Sequence, residues 1–257
     1  MSIIKEKPLE RMVGGYSNTA IFRNIAFVGD SLSSGEFQIY NSDGKAEFHD
    51  LYEYSWGQFI ARRNGIKAYN FSRGGMTAKW YIESFADEKM FWDKEKACQA
   101  YVIALGVNDL YHTDIELGSI NDIDENDYHN NAKTYAGYYA QIISRYKEIS
   151  PDAKFFLVGL PNDCRGEKCE LIAHNMLNLL NDFAKHFSNT YVLDLFKYAE
   201  VFDKDFDEKY SLNGHMNPMG YMHFAEIIDS YIDYIIRQNP NDFKYVGLIN
   251  SGIEFVK

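Results

Sequence analysis

Five short apolar segments divide this chain, and the stretches between them have the spacing of amphipathic helices. The predicted strands are 25–28, 67–71, 101–105, 154–159 and 190–194. The predicted helices are 56–64, 131–149, 167–187 and 218–238. Parallel strands need a crossover connection, so this alternation predicts an α/β fold. With right-handed crossovers the fold becomes a flavodoxin-like, doubly wound three-layer sandwich around a five-stranded parallel sheet.

The length and composition favour one large domain. A chain of 257 residues with 46% hydrophobic residues can bury a full α/β core, which we place at about 22–238 within a single domain 1–257. Segment 35–54, with Asn41-Ser42-Asp43-Gly44 at its centre, is predicted to be a loop or short hairpin that forms a wall beside the first strand end. The tail 243–257 is predicted to be a hairpin or an added edge strand, which would cover its own sheet edge or pair with a neighbouring copy.

The charge and the N-terminal sequence limit the class of partner. A net charge of −11 and an isoelectric point near 5.1 oppose nucleic acid and anionic membrane surfaces. Residues 1–7 lack the apolar core of a secretory signal, and no apolar run approaches the length of a spanning helix. An odd number of cysteines, three, suits a reducing compartment. We therefore expect a cytoplasmic protein that acts on a neutral or small substrate.

Two short segments resemble metal sites only faintly. Cys164 and Cys169 have no second ligand pair at a suitable spacing, so unremarkable thiols are favoured. The acidic stretch 118–128 lacks the glycine and the glutamate that a calcium loop requires, which favours a solvated loop and helix cap. We expect neither a metal nor a cofactor.

The first predicted strand ends abruptly in Gly29-Asp30-Ser31-Leu32-Ser33. Ligands of open α/β sheets bind in the crevice beyond the carboxyl ends of the strands, so Ser31 is a candidate nucleophile there. A serine that only caps the next helix is the alternative. A nucleophilic serine also needs a base and an oxyanion site, so the remaining strand ends decide between the two.

Three further features supply candidate partners for Ser31, of which two follow other strands and one precedes the last helix. Gly74-Gly75 comes after the second strand, where a glycine lets the backbone approach a ligand and aim an N–H at it. Asn108 comes after the third strand and offers an amide donor, while His215 precedes the last helix and offers a base. Taken singly, a tight turn, a helix cap and a surface histidine are the alternatives.

Together these features resemble the four blocks of the SGNH, or GDSL, hydrolase superfamily. The resemblance is carried by Gly29-Asp30-Ser31-Leu32-Ser33, Gly75, Gly106-Val107-Asn108-Asp109 and His215 with Asn217 and Gly220, and it spans about 25–236. It implies the SGNH hydrolase fold and an ester hydrolase without a cofactor. It also implies Ser31 as nucleophile, His215 as base, and an oxyanion hole formed by the Ser31 N–H, the Gly75 N–H and the Asn108 side chain.

One position departs from the family pattern. The family usually has an acid three residues before the histidine, but Leu212 stands there. Loss of that group costs a serine protease about 10⁴ in turnover. The candidate replacements are the Leu212 backbone carbonyl, which we favour, the Asn213 side chain, and one of the nearby carboxylates. Those carboxylates are Asp203, Asp205, Asp207 and Glu208, with Asp207 preferred among them.

The resemblance leaves the substrate open, because one scaffold serves several acyl chemistries. We expect a small-molecule ester with a short acyl chain, with O-acetyl groups on a carbohydrate as first choice. Trp80 and Tyr111 would present aromatic faces beside the pocket for a sugar, and Asp30 would line it. Core packing of these aromatic side chains is the alternative. The other functions considered are an acyltransferase, a lysophospholipase or thioesterase, and a non-catalytic binding protein that lacks the acid.

Overall fold

A parallel five-stranded sheet forms the centre of the computed structural model, which describes residues 6–254. The strands are β1 (Asn24–Gly29), β2 (Glu36–Tyr40), β3 (Ala46–Asp50), β4 (Lys67–Ser72), β5 (Ala100–Ala104), β6 (Lys154–Val158), β7 (Thr190–Leu193), β8 (Ser211–Leu212) and β9 (His215–Met216). The central sheet has the order β4-β1-β5-β6-β7, while β2-β3 and β8-β9 are separate two-stranded antiparallel sheets. The central order is that of a flavodoxin-like sheet.

Helices connect these strands. They are α1 (Ser31–Ser34), α2 (Trp56–Asn64), α3 (Ala78–Trp80), α4 (Ala86–Glu88), α5 (Val107–His112), α6 (Tyr135–Ile149), α7 (Glu167–His186), α8 (Leu195–Tyr198), α9 (Lys204–Tyr210), α10 (Pro218–Gln238) and α11 (Pro240–Phe243). A π-helical turn, Tyr81–Phe85, joins α3 to α4. The shorter 3₁₀ turns are Asn18–Ile21, Tyr52–Tyr54, Lys94–Lys96, Ile120–Asp122, Tyr128–Asn130 and Val246–Leu248.

Alternate residues of β1 enter two different hydrophobic clusters. Ala26 and Val28 belong to the cluster that includes side chains of α6 and α7, whereas Ile25 and Phe27 belong to the cluster that includes side chains of α2 and α10. Successive strand residues point to opposite faces, so both faces of the sheet are covered by helices. The predicted three-layer α/β sandwich is therefore confirmed.

Most element boundaries follow from local capping chemistry. The α2 helix begins after Ser55, whose hydroxyl accepts the Gln58 N–H at 3.2 Å, and it ends at Gly65 with a φ of +66°. The α6 helix begins at Tyr135 rather than at the predicted position 131, because the Thr134 hydroxyl caps it by accepting the Gly137 N–H at 3.1 Å. A cap of this kind satisfies one of the N–H groups that a helix start leaves unpaired.

Segment 35–54 forms the hairpin that the sequence indicates. Strands β2 and β3 pair from Glu36 opposite Asp50 to Tyr40 opposite Ala46. The connecting turn is closed by Asn41, whose side-chain oxygen accepts the N–H groups of two residues of the turn. The hairpin follows α1 directly, so it lies beside the end of β1.

The described part of the tail, residues 243–254, forms neither the predicted hairpin nor an edge strand. Residues 243–254 contain the end of α11 and the 3₁₀ turn Val246–Leu248, and Phe255 and Val256 of the predicted second strand lie outside the described residues. Side chains take the backbone carbonyls of this segment. Gln99 donates to the Val246 carbonyl at 2.7 Å, and Arg23 donates to the Gly247 and Ile249 carbonyls at 2.6 and 2.7 Å. Val246 and Ile249, which are both buried, are spaced for a helical turn rather than for a strand.

Close packing of α2 on β1 gives a stability prediction. A Cβ added at Gly57 would lie 2.6 Å from the Phe27 ring. Gly57→Ala should therefore destabilise the protein by about 1–3 kcal/mol, because overpacking outweighs the better helix propensity of alanine. Urea unfolding measures this, with Gly14→Ala as control because a Cβ there meets no atom within 4 Å. A Gly57→Ala protein as stable as the wild type would contradict the packing.

Candidate active site

Each residue of the Gly29-Asp30-Ser31 sequence has a separate structural task. A Cβ on Gly29 would lie 2.1 Å from the Ser33 hydroxyl oxygen and 2.9 Å from the Ala104 carbonyl oxygen, so only glycine fits there. Asp30 is the N-cap of α1 and accepts the Leu32 N–H at 3.1 Å. The helix cap is therefore Asp30, and Ser31 does not serve as the cap. Its N–H belongs to the first turn of α1, where such groups lack an intrahelical acceptor.

Asp30 lies under the site rather than in the open cleft. It is buried, and burial raises the pKa of its carboxyl to about 7, against the opposing effects of the Leu32 N–H and His215. The same residue lines a small cavity of about 40 Å³ together with apolar side chains that include Trp56 and Leu105. The prediction that Asp30 lines a pocket therefore applies to this inner cavity.

The glycine turn after β4 is tied to the loop after β5. Gly75 has a φ of +70°, which favours glycine, in a turn closed by the Met76 N–H donating to the Arg73 carbonyl at 3.2 Å. The Asn108 side-chain N–H donates to the Met76 carbonyl at 3.0 Å. An amide nitrogen carries two hydrogens, so Asn108 retains one for a ligand.

A buried carboxylate holds the same two loops together. Asp109 accepts the Ala78 N–H at 3.0 and 3.2 Å through its two carboxylate oxygens. Burial raises the pKa of the Asp109 carboxyl to about 7, although the Ala78 N–H acts in the opposite direction. Two adjacent side chains of the second loop, Asn108 and Asp109, thus each bind the loop that contains Gly75.

His215 is presented by a tight antiparallel hairpin. Leu212 pairs with His215 between β8 and β9, and the turn residues Asn213 and Gly214 have φ values of +53° and +96°. An Asn-Gly pair with positive φ at both residues is the usual choice for a two-residue hairpin. The Phe48 ring lies edge-on to the imidazole, with 5.9 Å between ring centroids.

Three of the predicted residues line one cleft, whereas Gly75 is not among its lining residues. Ser31, Asn108 and His215 all line a cleft of about 450 Å³ at the carboxyl edge of the sheet. Among the described residues, the hydrogen bonds include none between Ser31 and His215. Catalytic hydrogen bonds are often long or poorly aligned until substrate is bound, so this geometry is compatible with general-base catalysis.

The imidazole faces a carboxylate that the sequence analysis missed. His215 Nε2 lies 3.1 Å from Oε1 of Glu36, the first residue of β2. His215 Nδ1 is buried and has no hydrogen-bond partner among the described residues. No local motif connects Glu36 with His215. The sequence gives one indication, which is that segment 35–54, where Glu36 lies, is predicted to form a wall beside the first strand end.

Of the residues considered as partners of the His215 ring, Asn213 and Asp207 have other hydrogen-bond partners. The Asn213 side chain donates to the Gln38 carbonyl at 3.0 Å, and the Asp207 carboxylate accepts the Ser211 hydroxyl at 3.0 Å. The Leu212 carbonyl is not bonded to His215 Nδ1, since that nitrogen has no partner among the described residues. Asp207 does line the cleft, but no ion pair within 4 Å joins it to His215 in the part of the chain that the structure describes.

An arginine lies over one face of each aromatic ring that was expected beside the cleft. The Arg73 guanidinium lies 5.0 Å above the Trp80 ring, and Trp80 is not among the residues that line the cleft. The Arg165 guanidinium lies 4.4 Å above the Tyr111 ring, and Arg165 itself lines the cleft, paired with Asp163. Neither Tyr111 nor Trp80 is among the residues that line the cleft, and an arginine lies over one face of each ring, so a stacking role for these two side chains stays a prediction.

The remaining features concern metals, thiols and membranes. Within residues 6–254, no group of three His, Cys, Asp or Glu side chains could hold a metal ion, and Cys98, Cys164 and Cys169 are free thiols. None of the helices in that same range combines the length and the apolar character needed to cross a membrane.

The family model of the GDSL-like lipase/acylhydrolases matches residues 25–228. The chain belongs to this family. Membership confirms the resemblance to the SGNH/GDSL hydrolases, and with it the expected class of carboxylic ester hydrolase. The matched range contains all four blocks, from the strand before Ser31 to the helix after His215.

Solved structures share the fold of this GDSL family member. A family two carbohydrate esterase from Clostridium thermocellum, in complex with cellohexaose, has a TM-score of 0.58 and 19% identity over 92% of this chain and 66% of that one. A carbohydrate esterase family 2 enzyme with a carbohydrate binding domain, from Corynascus thermopiles, has a TM-score of 0.55 and 16% identity over 84% of this chain and 67% of that one. This GDSL chain therefore spans about two thirds of each of these two esterases.

A protein from Lactobacillus plantarum is similar over most of its own length. Its TM-score is 0.55, with 16% identity over 83% of this chain and 97% of that one. No protein with a curated description matches the sequence of this GDSL family member. At these identities the likeness shows the fold alone.

The Asp109 carboxyl gives a pH prediction for this GDSL protein. Its pKa is near 7 in the folded state and about 3.9 in an unfolded chain, so the folded state binds the extra proton. Stability is therefore lost as the pH rises from about 4 to 7. Between pH 5 and pH 8 the wild type should lose about 2–3 kcal/mol more unfolding free energy than Asp109→Asn.

Urea unfolding at the two pH values measures this difference. Asp30 remains in both proteins, and its charge is only a minor cause of the raised pKa of Asp109, so most of its own titration cancels in the comparison. If the unfolding free energy depends on pH equally in the wild type and in Asp109→Asn, Asp109 is already ionised in the folded protein at pH 5.

Proposed function

We propose that the protein is a serine esterase that hydrolyses short-chain acyl esters, with O-acetyl groups on carbohydrates as the first candidate substrates. The observation that carries the proposal is the meeting of Ser31, Asn108 and His215 in one cleft beyond the ends of β1 and β5. A nucleophile, a base and an oxyanion donor are the parts that acyl transfer through serine requires.

The proposed reaction has two acyl-transfer steps. His215 takes the Ser31 proton while Ser31 Oγ attacks the ester carbonyl carbon, and the carbonyl oxygen becomes an oxyanion. The Ser31 N–H, the Gly75 N–H and the Asn108 amide donate to that oxyanion. Collapse of the intermediate releases the alcohol, which takes the proton from His215. Water then attacks the acyl-enzyme by the same route and releases the acid and Ser31.

The small cavity supports a short acyl group. The cavity of about 40 Å³ shares Leu32, Val107 and Leu160 with the cleft that contains Ser31, so the two adjoin. Its lining is mainly apolar, which favours a methyl or ethyl group. An eight-carbon chain exceeds this volume and would have to lie along the open cleft.

The carbohydrate assignment has separate support. Two of the structures with the same fold are named carbohydrate esterases, one of them in complex with cellohexaose. The cleft of about 450 Å³ has Asp163 and Arg165 among its lining residues. Such side chains offer acceptors and donors for hydroxyl groups.

Chain-length dependence tests the proposal. Initial rates with p-nitrophenyl acetate, butyrate and octanoate should give the highest kcat/KM for acetate, because the small apolar cavity favours a short acyl group. Ser31→Ala and His215→Ala should each lower kcat by at least about 10³-fold. Acetate release from acetylated xylan should show the same dependence on Ser31.

Each of the other possible outcomes contradicts one part of the proposed function. Turnover that survives Ser31→Ala contradicts the serine esterase. A preference for octanoate contradicts the short acyl group, and transfer of the acetyl group to an added sugar in place of water contradicts hydrolysis and indicates an acyltransferase.

A further inference from the structure

We propose that Glu36 is the positioning residue of His215 and takes the place of the acid that is absent at Leu212. This inference rests on the proposed function, since it concerns the base of the same site. The observation behind it is the distance of 3.1 Å between Glu36 Oε1 and His215 Nε2, with the two side chains 11% and 16% exposed. The partner thus comes from the hairpin after the nucleophile rather than from the loop that carries the histidine.

Glu36 is held where it can serve this role. Its backbone carbonyl accepts the buried Tyr221 hydroxyl at 2.6 Å. Its strand neighbour across the hairpin, Asp50, accepts the Ser34 hydroxyl of α1. The start of β2 is therefore held by α10 directly and by α1 through the paired residue Asp50.

The glycine pair makes room for the Glu36 carboxylate. A Cβ added at Gly74 would lie 1.9 Å from Glu36 Oε2, so any side chain there would displace the carboxylate. Gly75 supplies the positive φ of the turn, whereas Gly74 supplies the space. This difference explains the use of two successive glycines in a site whose oxyanion hole needs one.

Electrostatics favour the pairing. In the described part of the chain, His215 is the one side chain within 4 Å of the Glu36 carboxylate that can take a positive charge. Asp30 also lies close enough to interact with both, but its own burial favours the neutral form. A mostly buried carboxylate is costly unless a charged or hydrogen-bonding partner compensates, and His215 is that partner.

The contact has a direct consequence for the base. The pair lies within ion-pair distance, and the hydrogen bonds among the described residues include none between the two side chains. Donation of the Nε2–H to Glu36 would hold the imidazole as the tautomer whose lone pair is on Nδ1, the buried nitrogen without a partner among the described residues, and Nδ1 would then take the Ser31 proton. When His215 takes the Ser31 proton, the imidazolium forms beside the Glu36 carboxylate. The negative charge stabilises that imidazolium, which is the role of the acid in a serine triad.

Kinetics of Glu36→Gln test the role. This change keeps the shape and removes the charge, so kcat for p-nitrophenyl acetate should fall by about 10- to 10³-fold while KM stays within about twofold. The matched control is Glu47→Gln on the same hairpin, whose carboxylate pairs with the exposed His49 and should leave kcat unchanged. A Glu36→Gln kcat within twofold of the wild type would overturn the proposal.

The double variant separates positioning from structure. A residue that acts through His215 has no effect once His215 is absent, so Glu36→Gln/His215→Ala should be as active as His215→Ala. An equal fold-loss in both backgrounds would show a structural role and would overturn the proposal. Gly74→Ala, which displaces the carboxylate without removing it, should behave in the same way as Glu36→Gln.

A measurement on the unmodified protein keeps the proposal independent of folding and of activity. Long-range ¹H–¹⁵N NMR of the wild type identifies which imidazole nitrogen carries the proton, with the His215 signals assigned by their loss in His215→Ala. Protonated Nε2 is the expected result, and protonated Nδ1 in the neutral ring would overturn the proposal. A wild type that shows the Nε2–H tautomer but no Ser31-dependent turnover would instead contradict the proposed function.

Discussion

The register of β1 is the constraint on which the rest of the site depends. Gly29 lies level with Ser72 of β4 on one side and with Ala104 of β5 on the other. Parallel strands end at the same edge, so the segments that follow these three strands start side by side. A side chain at Gly29 would contact Ser33 and Ala104, so the close approach of β1 to its neighbours fixes Ser31 at this edge.

The hairpin after Ser31 links the core to the site through strand alternation. Phe37 packs against the Tyr221 ring at 5.7 Å between centroids and is part of the packing of α10 against the sheet. Glu36, the preceding residue, points to the opposite face and contacts His215. The anchoring of one side chain thus determines the direction of the other. In this chain the hairpin is part of the proposed catalytic apparatus rather than only a wall around it.

Patterns that are local in sequence were enough to predict the fold. The strand and helix positions followed from apolar periodicity, and caps and prolines placed most boundaries, as in α10 with Asn217 and Pro218. The prediction of a strand in the tail is wrong for its described part, because Val246 and Ile249 are spaced for a turn. The side chains of Gln99 and Arg23 bind the carbonyls of these two residues. Those partners are distant in sequence, so no local pattern indicates them.

The same limit applies to the site. Ser31, Gly75, Asn108 and His215 stand at strand ends or before a helix, where sequence position implies location. The contact between Glu36 and His215 depends on the path of a hairpin, and the arginines over Trp80 and Tyr111 depend on side-chain packing. Active-site labelling with a fluorophosphonate, followed by peptide mass spectrometry, tests the central claim most directly. The account predicts one phosphonylated residue, Ser31, with much slower labelling in His215→Ala, and it is contradicted by a protein that takes no label or takes it at another residue.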